Sequence, residues 1–162
     1  MQFVNRAEVM VPVATAFAYY CDQASLQEWI PGGGIREFTP VTPPPKQVGS
    51  RYRIAYRSFG VTFRLIAEVT TLEQDRLSVK ERVSGNYKTF RYEMRFEPID
   101  STTTRLEMRV VAELPWGPLG SVLLWVASPF TSRDLQGGLT RFKARVEARA
   151  SQAVAPVPQS AS

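Results

Sequence analysis

Between residues 51 and 114 apolar and polar residues alternate in five runs, 51–58, 61–70, 76–84, 87–97 and 104–114, each the length of a strand. Phe59-Gly60 supplies a two-residue hairpin turn, which predicts Tyr56 opposite Phe63, Ile54 opposite Leu65 and Tyr52 opposite Ala67. Gly85-Asn86 is a second turn pair; read as a tight hairpin it predicts Val83 opposite Lys88, Glu81 opposite Phe90 and Val79 opposite Tyr92. A longer turn at residues 99–104 predicts Phe96 near Leu106, Met94 near Met108 and Tyr92 near Val110. These registers gather the apolar residues on one face. The other face carries Arg53, Arg57, Arg64, Glu68, Lys80, Arg82, Arg91, Glu93, Arg95, Glu107 and Arg109. The result is an antiparallel meander with one wet and one covered face, in which a slip of one residue would exchange the two.

The flanking segments supply the cover. Residues 2–11 read as a first strand with Phe3, Ala7, Val9 and Val11 on one side, and Asn5 shares their parity. Pro12 suits the first turn of a helix, because the N–H it lacks is not needed there, and "VATAFAYYC" follows as a short apolar helix. Asp22 can cap a second short helix holding Leu26, Trp29 and Ile30. "IREFTPV" reads as a strand, and the three prolines of "TPPPKQVGS" as a loop. Over about 117–150, Leu135, Leu139, Phe142 and Val146 form a helical stripe, with Arg141, Arg145 and Arg149 on the solvated side. Pro129 and Gly137-Gly138 are expected to bend or interrupt that helix. The predicted organisation is one domain over 1–150 and a disordered tail over 151–162.

Composition narrows the chemistry. The chain of 162 residues contains no histidine and a single cysteine, Cys21. This removes the commonest general base and metal ligand, and rules out an internal disulfide. Cys21 lies in an apolar stretch and reads as a buried structural thiol. The net charge of +5 comes from basic residues interleaved with acids, unlike a nucleic-acid arm. No run of about 18 or more apolar residues suggests a membrane span, and the N-terminus lacks a signal-peptide core; the expected location is cytoplasmic. "WIPGGG" places its glycines after a helix and before a strand. A phosphate-cradling loop runs in the reverse order, so the run reads as a helix stop and a corner.

"AEVMVPVATAFAYYCDQASLQEWIPG" resembles the opening of the START-like (SRPBCC) helix-grip superfamily, which includes polyketide cyclase/dehydrase-like proteins: strand, proline, Phe-containing helix, Asp, Trp-containing short helix. "GPLGSVLLWVASPFTSRDLQGGLTRFKARVEA" resembles its closing helix. The resemblance covers about residues 1–150. It implies an α+β helix-grip fold, with a curved antiparallel sheet of six to seven strands wrapped around a long C-terminal helix and two short helices after the first strand. It also implies a cavity between sheet and helix for a hydrophobic ligand; no cofactor and no metal are expected.

Within that frame, alternation puts Glu81 on the apolar face with Leu77, Val79 and Val83. There it serves either as a cavity acid whose pKa burial raises, or as a carboxylate at an open sheet end that meets water or pairs with Lys88. Tyr52, Tyr56 and Tyr92 face inward, each with an apolar ring and one hydroxyl for an amphipathic ligand. Ile54, Phe63, Leu65, Phe90, Met94 and Met108 are the expected apolar walls, with Phe96 beside them and Trp125 at the mouth. The leading expectation is binding of a hydrophobic or amphipathic small molecule. A cyclase or dehydratase using Glu81 and tyrosines as acid–base groups is the second. The third is contact with a membrane surface or another chain through Trp116, Leu119, Leu123, Leu124, Trp125 and Phe130. That segment reads equally as a movable lid. Monomer and homodimer both remain open.

Overall fold

The computed structural model describes residues 1–154. Its strands are β1 (Gln2–Val9), β2 (Ile35–Pro40), β3 (Arg51–Ser58), β4 (Val61–Glu73), β5 (Leu77–Gly85), β6 (Thr89–Pro98) and β7 (Thr104–Glu113). They form one antiparallel sheet in the order β1-β7-β6-β5-β4-β3-β2. Helices α1 (Val13–Cys21) and α2 (Leu26–Trp29) follow β1, joined by a 3-10 turn, and α3 (Gly117–Val154) closes the chain. This is the helix-grip, START-like fold.

Local chemistry explains the elements. Pro12 stands at the N-cap of α1 with φ −59°, and its carbonyl accepts from the Ala16 N–H. Asp22 ends α1 and caps the next turn, accepting from the Ala24 N–H and the Ser25 hydroxyl. Arg141 of α3 donates to the carbonyls of Trp29 and Ile30, satisfying the C-terminal end of α2. Leu139, Phe142 and Val146 are fully buried, as their stripe predicts. Each stabilises the helix against the rest of the domain by about 2 kcal/mol. Phe142 meets Tyr19 and Trp29 edge-to-face, with ring centroids 5.1 Å apart in both pairs. Asn5 reaches inward as its parity predicts, and its amide donates to Gln136 of α3.

Pro129 does not interrupt α3, which runs unbroken from Gly117 to Val154. Proline removes the N–H that the Trp125 carbonyl would accept; the Ser128 hydroxyl donates there instead, at 2.8 Å. The helix also passes the expected boundary at 150, and the rest of the expected tail, 155–162, lies outside the described residues.

Two of the three registers form as predicted. Tyr56 faces Phe63, Ile54 faces Leu65 and Tyr52 faces Ala67. Phe96 faces Leu106, Met94 faces Met108 and Tyr92 faces Val110. The β5–β6 register is displaced by one residue, so Glu81 faces Arg91 and Lys80 faces Tyr92. Its cause is in the pairing with β4. Ile66 and Ala67 are consecutive, yet their partners Ser84 and Arg82 are not, so Val83 is an extra residue in β5. A second irregularity leaves Thr70 unpaired in β4. Nor is Gly85-Asn86 a tight hairpin. β5 stays bonded to β4 as far as Gly85, and β6 joins β5 only from Arg91 onward. The Tyr87 ring fills the gap, 5.7 Å from both Phe63 and Phe90.

Candidate functional site

A largely apolar cavity lies between the inner sheet face and α3, with a volume of about 120 Å³. That is close to the roughly 150 Å³ apolar cavity known to accept one benzene ring. Seven of the expected residues line it: Ile54, Tyr56, Phe63, Leu65, Phe90, Tyr92 and Met108. Alternation of β3, β4, β6 and β7 aims them inward, and Leu123, Leu124, Ala127 and Leu135 of α3 form the opposite wall. Phe3, Trp29, Phe38 and Tyr87 are further walls that sequence reasoning placed in strands or in the second short helix but not at the site.

Four expected site residues stand elsewhere. Tyr52 and Met94 point inward but are fully buried and do not line the cavity. Trp125 is 71% exposed on the outer side of α3. The bulge at Val83 turns Glu81 to the outer face, where its carboxylate takes a 2.6 Å ion pair from Arg91. Glu81 is therefore not a cavity acid, and it does not pair with Lys88, which bonds Glu113 instead.

The polar groups that do line the cavity come together at one side. Tyr56 donates its hydroxyl hydrogen to Asp134 Oδ2, 3.0 Å away, and lies 3.2 Å from Thr131 Oγ1. Asp134 Oδ2 also accepts from the Gly34 N–H at 2.8 Å. Burial pushes the Tyr56 phenol up to about 12, so it stays a proton donor at neutral pH. The glycine corner makes this convergence possible. Gly33 adopts φ +58°, and a Cβ there would sit 1.9 Å from Asp134 Oδ1; one at Gly34 would sit 2.5 Å from the Tyr56 ring. Asp134 was missed because it reads as one more charge on a solvated helix. The glycines marked the corner, but not the carboxylate held against it.

The same displacement that expels Glu81 brings Lys80 inside, correcting its expected place on the wet face. Lys80 is 1% exposed, and its Nζ donates to the Tyr20 hydroxyl at 2.6 Å. It lies 4.7 to 5.9 Å from the ring centroids of Tyr20, Phe38, Tyr52 and Tyr92. Lys46, from the proline-rich loop, is also buried, its Nζ 3.5 Å from the Tyr20 ring centroid. Burial lowers both amines, Lys46 to about 8 and Lys80 well below the ordinary lysine value, and the charge of Lys46 presses Lys80 down further. Cys21, half-buried rather than fully buried, stands close enough for both lysines to oppose the rise that burial imposes on its thiol.

The face of α3 away from the cavity exposes Leu119, Val122, Trp125 and Phe130, while Leu123 and Leu124 turn inward; Trp116, just before the helix, is half-exposed with its ring 6.2 Å from that of Phe63. No helix among the described residues is long and apolar enough to cross a membrane.

The family model described as polyketide cyclase / dehydrase and lipid transport matches residues 1–147. No curated protein sequence matches the chain. Among solved structures it is similar to a protein of Thermus thermophilus, with TM-score 0.77 and 14% identity, covering 93% of this chain and 99% of that one. The ZhuI aromatase/cyclase of Streptomyces sp. R1128 superposes with TM-score 0.73 at 13% identity, over 96% and 99% of the two chains. A START superfamily protein of Mycobacterium smegmatis gives TM-score 0.63 at 14% identity, over 94% and 99%.

Proposed function

The chain belongs to the polyketide cyclase / dehydrase and lipid transport family, and from that premise we propose that it binds an apolar or amphipathic small molecule between its sheet and α3. The observation that carries this reading is the cavity: walls almost wholly of aliphatic and aromatic side chains, with one compact polar cluster at Tyr56, Thr131 and Asp134. An apolar lining with a few convergent polar groups is the usual build of a small-molecule site. Native mass spectrometry of protein purified from its own cells tests it, with a retained ligand mass expected. No retained mass, together with no binding of the neutral fluorophore N-phenyl-1-naphthylamine, overturns it.

The Tyr56–Asp134 pair supports a second reading, a cofactor-independent cyclase or dehydratase. A phenol held by a carboxylate at a cavity wall can donate a proton to a ligand carbonyl or departing hydroxyl, and the carboxylate can take one up. In this reading Tyr56 is the acid and Asp134 both positions it and receives protons. The ZhuI structure is that of an aromatase/cyclase, and it shares this fold. Loss of turnover in Tyr56→Phe with ligand binding retained supports catalysis; unchanged turnover removes Tyr56 from it.

A further inference from the structure

Lys46 and Lys80 stand together in one aromatic cage, more than nine-tenths buried, and among the described residues no carboxylate pairs with either. Buried ammonium groups are ordinarily paired or neutralised, because leaving water is costly for a charge. The π faces of Tyr20, Phe38, Tyr52 and Tyr92 offset part of that cost. The hydrogen-bond inventory is one-sided. Lys46 Nζ, Tyr52 OH, Ser78 Oγ and Gln23 Nε2 are buried without partners, and all four can donate. A cluster this rich in donors and lacking any anion fits a negatively charged oxygen.

The cage adjoins the cavity. Tyr92 and Phe38 border both, lining the cavity and standing 4.7 and 5.9 Å from Lys80 Nζ. We infer that the Lys46–Lys80 cage is an anion site for the carboxylate head of an amphipathic ligand whose apolar body fills the cavity. This rests on the ligand-binding reading above and names the class of ligand. For the head to reach the lysines the Tyr92 or Phe38 ring turns aside, and the ligand's charge supplies the counter-ion that the described residues around the cage do not. Tyr52 and Ser78 hydroxyls and the Gln23 amide complete the shell around its oxygens.

Decanoate and decanol, equal in chain length but different in charge, separate the two levels of the argument. Displacement of N-phenyl-1-naphthylamine is measured at neutral pH for the wild type, Lys46→Met, Lys80→Met and the double variant, each checked for folding by circular dichroism. Methionine keeps the stem and removes the charge. The wild type should bind decanoate at least about ten-fold more tightly than decanol. The preference should fall in each single variant and vanish in the double, with decanol affinity unchanged. Equal wild-type affinities, or a preference that survives in the double variant, overturn the anion site and leave the cavity reading standing. Displacement by neither probe overturns the cavity reading and the anion site with it.

Discussion

The Tyr56 hydroxyl reaches Asp134 at 3.0 Å, joining strand β3 to the middle of α3 across 78 residues of chain. The same carboxylate oxygen holds the Gly34 N–H, so one side chain ties the helix to both the strand and the corner before β2. Replacing Tyr56 by Phe leaves Asp134 one partner short. A loss of about 1–2 kcal/mol is expected in urea unfolding, with native-like circular dichroism. A stability equal to wild type would show that the bond contributes nothing.

Gly33→Ala should be worse. The added Cβ would stand 1.9 Å from Asp134 Oδ1, at φ +58°, so backbone strain and a steric clash act together. The expected cost is on the order of 2–4 kcal/mol, from strain and overpacking. Gly60→Ala is the control: it also has positive φ, but its Cβ would meet nothing within 4 Å. Comparing the two melting temperatures isolates the collision from the strain.

The buried lysines predict an unusual pH profile. Lys46 titrates near 8 in the fold and near 10.4 in the unfolded chain. Between those values the unfolded state holds a proton that the folded state has released, so stability rises with pH. Across pH 8 to 10 the gain from Lys46 alone is about 2 kcal/mol, and Lys80, lowered further, adds to it in the same direction. Cys21 opposes it, since burial raises its thiol and the unfolded chain ionises first. Above about pH 10 the buried tyrosines Tyr20, Tyr52 and Tyr92, all raised by burial, turn the curve down. Denaturant midpoints from pH 7 to about pH 11 check both the rise and the downturn. Lys46→Met should flatten the rise, and at pH 7 Lys80→Met should stabilise the ligand-free protein by about 1–3 kcal/mol.

Glu81→Gln is expected to do little. The Glu81–Arg91 pair is on the outer face, with side chains 43% and 44% exposed, and such pairs contribute about 0–1 kcal/mol. Binding of a cavity ligand should be unchanged. A large loss of binding would return Glu81 to the site.

Which parts of this were legible follows from where the chain obeys its own period. β3–β4 and β6–β7 keep strict alternation between well-marked turns, so Tyr56, Ile54, Tyr92 and Met108 were placed from pattern alone. β5 breaks the period at Val83, a valine between Arg82 and Ser84 that continues the apparent alternation and so gives no sign of the bulge, and everything before it changes face. Lys80 was hidden for a second reason. A lysine in an alternating strand reads as solvent-facing, and the rings that cage it come from α1, β2, β3 and β6, far apart in sequence. Asp134 needed a tertiary partner, the Gly33-Gly34 corner, that no local window contains.

Pro129 divides α3 into two mechanically different arms. Beyond it, Asp134, Gln136, Arg141 and Lys143 bind the helix to β3, β1 and α2 through named hydrogen bonds. Before it, among the described residues, no hydrogen bond joins 117–130 to the sheet, and Leu123, Leu124 and Ala127 rest on the cavity by apolar contact alone. Apolar contact has no preferred direction, and the proline has already removed one rung of the helical ladder. The helix is thus a cantilever, clamped beyond Pro129 and compliant before it, so the N-terminal arm can yield to ligands of different girth while the clamp keeps its shape.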